Sequence, residues 1–191
     1  NAAAALYNKT GGAVQVVALN TRGVLYLVAD SSLEINSFED LRGQTVYAPA
    51  QNPTFIFKYL CEENGLKPGE DVTIDNSYAQ PADLNTAVSS GAVQLAVLPE
   101  PMVTIARSAN DKLTAALDLT AEWDKVAPAG SLVQGCAVVR REFAEAHPAE
   151  LACFLNEYKA SVEALSADIQ GSAEKIQETG IFAKAAVAAK A

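Results

Sequence analysis

Gly91-Ala92-Val93-Gln94-Leu95-Ala96-Val97-Leu98-Pro99-Glu100-Pro101 decides the fold. The run from Gln94 to Leu98 is short, uninterrupted and apolar, the pattern of a strand buried on both faces. A proline ends it and leaves the carboxylate of Glu100 at its carboxyl end, ahead of a helix expected from about Pro101 to Ala109. In open α/β sheets that end of the strand is where ligands sit.

The same alternation extends outward from this strand. Strands are expected at 45–48, 72–74, 94–98 and 113–119, with helices at 53–64, 81–90 and 101–109 between them. Asn52 is the expected N-cap of the first helix, Pro53 its first residue and Gly65 its stop signal. Such alternation predicts a parallel sheet wound by right-handed crossovers. Ser37-Phe38-Glu39-Asp40 reads as a capping box on a one-turn helix. Thr120 is the expected cap of a short helix that holds Trp123.

Upstream, residues 2–8 read as a helix end closed by Gly11 and Gly12. The apolar runs 14–19 and 24–28 follow, separated by Asn20-Thr21-Arg22-Gly23. That link is either a hairpin or a single extended crossover kinked at Gly23. Downstream, residues 132–139 read as a further strand and 140–146 as a helix. A longer helix begins after Pro148, with Leu151, Phe154, Leu155, Tyr158, Val162 and Leu165 at helical spacing, and two more are expected to break at Gly171 and Gly180.

Residues 24–131 hold enough strands and helices for a complete α/β lobe. Residues 1–23 and 132–191 hold helices in excess of strands, and such helices need a sheet to cover. The flanks therefore read as a partial second lobe whose leading strands are not in this sequence, and the chain as a fragment that opens in mid-helix at Asn1-Ala2-Ala3-Ala4.

Composition narrows the function classes. Half of the 191 residues are hydrophobic and 19% are charged, the balance of a globular chain. No apolar run reaches the roughly 20 residues that span a bilayer. A formal net charge of −9 argues against nucleic acid, whose phosphates need a basic footprint. One His and three scattered cysteines, Cys61, Cys136 and Cys153, give no metal-ligand spacing, so no metal or cofactor is expected. The odd, unpaired set fits a reducing setting, with a single bridge left open. No nucleophile elbow, phosphate loop or dinucleotide fingerprint occurs. Glu62-Glu63 and Glu70-Asp71 are paired carboxylates away from the strand tips and read as solvated faces.

Three groups are candidates for ligand contact at a cleft between lobes: the Asn20-Thr21 link, the Gln51-Asn52-Pro53-Thr54-Phe55 turn, whose backbone N–H groups and helix N-terminus suit a carboxylate, phosphate or sulfonate oxygen, and Glu100. Each has a plainer reading. Asn52 and Thr54 fit a helix start, Asn20 fits a turn, and a carboxylate such as Glu100 is favoured in any first helical turn. Trp123, Tyr7, Tyr47 and Tyr78 read as core or rim, and His147 as an exposed residue at a helix start.

Three stretches, in order, resemble a known family. Leu33 to Gly43, with Phe38-Glu39-Asp40-Leu41-Arg42-Gly43, is similar to the segment that leads into the second lobe of type 2 solute-binding proteins of ABC importers. Ser89-Ser90-Gly91-Ala92-Val93-Gln94-Leu95-Ala96 and the following Leu98-Pro99-Glu100-Pro101 resemble an inner strand of that lobe. Val138 to Pro148 resembles the return to the first lobe. The nearest group is the one that takes nitrate, sulfonates and thiamine precursors, and the resemblance spans essentially the whole chain. Gln94 departs from it, standing where many relatives carry Asp.

The resemblance implies a two-lobed type 2 solute-binding fold with one lobe complete and the other partial, and a non-enzymatic importer component. It implies a small polar or heteroaromatic solute held in an interlobe cleft, and a membrane permease as partner. A periplasmic or extracellular location follows, with a lipid anchor in the full-length protein. Gln51, Asn52 and Thr54 match the turn that often contacts ligand in relatives, Glu100 the end of the proline-flanked strand, and Asn20 and Thr21 the hinge entry; these six are the expected ligand-binding residues. The alternative is an enzyme, a lyase or transferase, on the same scaffold.

Overall fold

The link at Asn20–Gly23 is the extended crossover and not the hairpin. In the computed structural model, which describes residues 2–190, the strands on its two sides join different sheets. Asn1, where the sequence is read as opening in mid-helix, and Ala191, the end of the range read as a partial second lobe, lie outside the described residues.

In chain order, helix α1 (Ala2–Lys9) precedes strands β1 (Val14–Thr21) and β2 (Leu25–Asp30). Two short 3-10 turns, Ser31–Leu33 and Phe38–Leu41, lead to β3 (Thr45–Tyr47), α2 (Asn52–Glu63), β4 (Thr73–Asp75), α3 (Pro81–Ser89), β5 (Leu95–Pro99), α4 (Met102–Ala109) and β6 (Leu113–Asp118). Then come α5 (Leu119–Val126), β7 (Gly135–Arg140), α6 (Arg141–Ala146), α7 (Pro148–Ala167), α8 (Ile169–Glu178) and α9 (Ala185–Ala188). The chain divides into two compact units, residues 1–22 with 133–190 and residues 23–132.

Unit 23–132 is a five-stranded sheet in the order β4-β3-β5-β2-β6. It is mixed and not fully parallel. β3 pairs parallel with β4 and β5, whereas β2 runs antiparallel to both β5 and β6. The expectation of a parallel sheet holds where a helix follows each strand and fails at β2, which no crossover helix introduces. Its sequence hides the reversal. Leu25, Leu27, Val28 and Ala29 are all buried, and a strand buried on both faces shows the same apolar run in either direction.

Alternation along the strands divides the core into two layers. Leu25, Leu27, Val46, Leu95, Val97 and Leu117 pack with Phe57 and Leu60 of α2, Leu119 of α5 and Phe38 and Leu41 of the second 3-10 turn. On the opposite face Val28, Ala96 and Leu98 pack with Leu84 and Val88 of α3 and Val103 and Ala106 of α4. A fully buried side chain of this size is worth roughly 1.5–3 kcal/mol.

Local signals set the element ends. The capping box at Ser37 is present, with the Asp40 carboxylate accepting from the Ser37 backbone N–H and hydroxyl. Those bonds, and one from the Asn36 N–H, hold the Asp40 carboxyl below the usual carboxylate range. Arg42 closes the turn by pairing with Glu39 and Asp71. The cap of α5 is Asp118 and not Thr120: the Asp118 carboxylate accepts from the N–H groups of Thr120 and Ala121. Gly171 lies inside α8 and does not break it. A Cβ there would come within 2.3 Å of the Asp168 carboxylate that caps the helix through the Gly171 N–H.

The other unit has a two-stranded antiparallel sheet, β1 with β7, irregular at two points in its register. α7 forms as the spacing predicts, but none of its 20 residues is buried. Phe154, Val162 and Leu165 stay about half exposed, as do Val16 and Leu19 of β1. All three cysteines are free: Cys61 is buried, Cys136 half-buried and Cys153 exposed. Burial, with a smaller effect of Glu62, pushes the Cys61 thiol up to about 12. Among the described residues no helix is long and apolar enough to cross a membrane.

Entry into the five-stranded sheet depends on close approach at Gly23. A Cβ at this position would meet the Thr120 hydroxyl at 1.4 Å and its Cβ at 2.4 Å, so the backbone and the first turn of α5 would have to part. Gly23→Ala should lower stability by about 1–3 kcal/mol, read as a lower denaturant midpoint with little change in slope.

Candidate functional site

The carboxyl ends of β3 and β5 bring two of the three expected groups together. These strands are neighbours, with Tyr47 opposite Ala96. The turn at 49–52 follows β3, and Glu100 follows β5.

The turn holds an unusual backbone. Gln51, exposed and just ahead of α2, has φ 71° and ψ −123°, a region that glycine enters freely and other residues only at a cost. The helix therefore begins at Asn52, which is its first residue and not its cap. The Gln51 carbonyl accepts from the Phe55 N–H at 3.0 Å. Phe55 itself is 59% exposed on the first turn.

Thr54 faces inward, opposite to the expectation that it meets a ligand. It is buried, its hydroxyl donates to the Pro49 carbonyl at 2.7 Å, and it accepts from the Asn76 amide at 2.7 Å. The same amide nitrogen donates to the Ala48 carbonyl at 2.8 Å. Thr54 and Asn76 thus tie the turn after β3 to the segment after β4. Sequence reading missed Asn76, for which a lone Asn beyond a short strand gives no signal.

Glu100 is half-buried. One carboxylate oxygen accepts from the Thr104 N–H at 3.2 Å and the other from the Thr104 hydroxyl at 3.1 Å. This is the helix-start role the sequence allowed, placed just outside the first residue of α4. Its own N–H donates to the Val24 carbonyl at 2.7 Å, stitching the end of β5 to the start of β2.

Tyr26 lies beside Glu100 and was not expected there. In the register it pairs with Leu98 on one side and Asp118 on the other. Its hydroxyl is pushed above its ordinary value, first by burial, then by the negative charges of Asp118 and Glu100. Tyr47 and Tyr78 pack on the same face of the sheet, their ring centres 5.9 Å apart. All three tyrosines are half-buried.

Asn20 and Thr21 belong to the other unit. The Asn20 amide donates to the Tyr158 hydroxyl at 2.9 Å, and the Thr21 hydroxyl donates to the Asn20 side-chain carbonyl at 3.3 Å. Both close over Gly135, where a Cβ would come within 2.4 Å of the Asn20 oxygen.

No family model and no curated relative matches the sequence. Solved structures do. The periplasmic aliphatic sulphonate binding protein SsuA of Escherichia coli superposes with a TM-score of 0.77 at 16% identity, over 96% of this chain and 60% of its own. An ABC transporter structure from Parabacteroides distasonis gives 0.75 at 23% identity, over 95% and 59%. The ligand binding component of an ABC-type import system from Staphylococcus aureus, solved with zinc bound, gives 0.68 at 19%, over 98% and 62%. The chain thus has the fold of a large part of an ABC importer binding protein and spans about 60% of the length of these structures.

The turn yields two expected outcomes. Thr54→Val takes from the Pro49 carbonyl its hydroxyl donor and from the Asn76 amide one of its two acceptors at almost unchanged volume, and should cost about 1–3 kcal/mol in chemical denaturation. Gln51→Gly relieves the positive φ and should raise stability by on the order of 1 kcal/mol in the same assay.

Proposed function

We propose that this chain is the solute-capturing part of an ABC importer binding protein, working with a membrane permease. The likeness to binding-component structures over almost the whole chain supports this reading. Under this proposal residues 24–131 form a complete lobe, and 1–23 with 132–191 belong to a second lobe. The half-exposed apolar residues of β1 and α7 support that second part, since a two-stranded sheet seldom stands alone. A periplasmic or extracellular setting, with a lipid anchor on the full-length protein, belongs to the same proposal.

The observation that carries the reading to a site is the backbone of Gln51. A residue held at positive φ on an exposed turn points to a functional constraint, and here the turn follows β3, the strand paired with the one at whose end Glu100 stands. We assign ligand contact to Gln51, Asn52 and Glu100. Thr54 acts as a positioning residue through Pro49 and Asn76. The mutual bonds of Asn20 and Thr21, and the contact with Tyr158, support a structural role for that pair.

The enzyme reading draws less support. Both Glu100 oxygens are engaged by Thr104, the arrangement of a helix-start residue.

Native mass spectrometry of the full-length protein should detect a co-purified small molecule that is released unchanged. Gln51→Ala and Glu100→Gln should each weaken its binding roughly ten-fold in calorimetry, the scale of one lost polar contact, with the fold retained by circular dichroism. Unchanged affinity in both variants would remove the site assignment, and turnover of the bound compound would favour the enzyme.

A further inference from the structure

Charge is distributed unevenly along the chain. Residues 23–132 hold fifteen of the 23 acidic side chains and six of the 14 basic ones, and so account for the whole formal net charge of −9. Little of the basic remainder is near the strand ends. Arg42, Lys67 and Lys125 are paired with carboxylates on their own surfaces. Arg107 lies in the last turn of α4 and Lys112 just ahead of β6, both at the amino end of the sheet. Lys58 is exposed on the second turn of α2.

Helix N-termini ordinarily make this end of a sheet attractive to anions. Here that attraction is already taken up. Glu100 accepts from the first turn of α4, Asp118 from that of α5, and Asp83 lies in the first turn of α3. Of the described helices in this unit α2 alone starts without a carboxylate, and its second residue is Pro53, which has no N–H to offer. An incoming anion would meet Glu100 and Asp118 with the starts of α3, α4 and α5 already carrying carboxylates.

The same end is rich in aromatic surface. Tyr26 lies between Leu98 and Asp118 in the register, close enough to Asp118 and Glu100 for their charges to act on its hydroxyl. Tyr47 and Tyr78 form a tilted pair on the same face, where Met102 also packs against the core. Ring faces attract cations electrostatically, and more strongly where water is excluded.

We propose that the strand-end site of this unit selects an organic cation with a flat apolar body, such as an aromatic or heteroaromatic amine, and rejects sulfonates and other anions. The carboxylates of Glu100 and Asp118 would supply the countercharge, and Tyr26, Tyr47 and Tyr78 the apolar and quadrupolar wall. This rests on the solute-binding reading above and narrows its ligand class away from the sulfonate named for the E. coli structure.

Three probes of one size separate the possibilities in calorimetry on the full-length protein: benzylammonium, benzyl alcohol and benzenesulfonate. Benzylammonium should bind roughly ten-fold or more tightly than benzyl alcohol, lose affinity as salt rises, and exceed benzenesulfonate by a wider margin. Glu100→Gln and Tyr26→Ala should each weaken the cation more than the alcohol, with folding checked by melting. Arg22→Ala, which removes the basic residue next to Gly23, should leave the cation bound.

A preference for benzenesulfonate or benzyl alcohol, or an anion identified as the co-purified molecule, would overturn this inference and leave the solute-binding reading intact. Binding of no probe together with no co-purified molecule would overturn both. Should the probes fail while a co-purified amine is found, the proposal stands on that ligand.

Discussion

The five-stranded sheet depends on one strand that runs against the other four. β2 is buried on both faces and pairs antiparallel with β5 and β6, so both core layers meet across it. It enters directly from an extended link, which needs the close approach of Gly23 to Thr120 and the bond from the Glu100 N–H to the Val24 carbonyl. Both contacts lie where β5 ends and α5 begins. The constraint that admits β2 therefore also fixes Glu100, Asp118 and Tyr26 at one end of the sheet.

That coupling explains why the polar groups there look ordinary one at a time. Glu100 caps α4, Asp118 caps α5, and Thr54 with Asn76 ties the turns after β3 and β4. Each bond satisfies a backbone or side-chain group that would be costly to leave unmade near a buried sheet. Their joint effect differs from the sum of these local tasks. Negative charge collects beside Tyr26, and carboxylates already occupy the starts of α4 and α5.

Much of the architecture was legible because period and punctuation agree. The helices at α2, α3 and α4 follow from apolar spacing bounded by Pro53, Pro81 and Gly65, and the capping box at Ser37 is formed as read. The direction of β2 was not legible, since burial on both faces erases the alternation that would reveal a strand's neighbours. Asp118 was passed over because it also continues the β6 pattern, and Thr120 beyond it is a plausible cap. At the candidate site Gln51, Asn52 and Glu100 could be read as lying after strand ends, but the inward turn of Thr54 could not, because an N-terminal Thr on a helix faces either way according to what the preceding loop offers it. The Pro49 carbonyl and the Asn76 amide, brought there by tertiary pairing, settle that choice.

The two units differ in how far their own residues satisfy them. Residues 23–132 cover both faces of a sheet with helices and bury Leu and Phe side chains completely. In the other unit, β1 and β7 make a ribbon whose helices keep Phe154, Val162 and Leu165 about half exposed. Apolar surface of this extent is unfavourable in water at roughly 25 cal/mol per Å², and a two-stranded ribbon contributes little to offset it. Helical spacing in α7 nevertheless specifies an apolar stripe as regular as those of a buried helix. A sequence that keeps such a stripe is patterned for a covering surface, and the proposed second lobe supplies the physical reason for it.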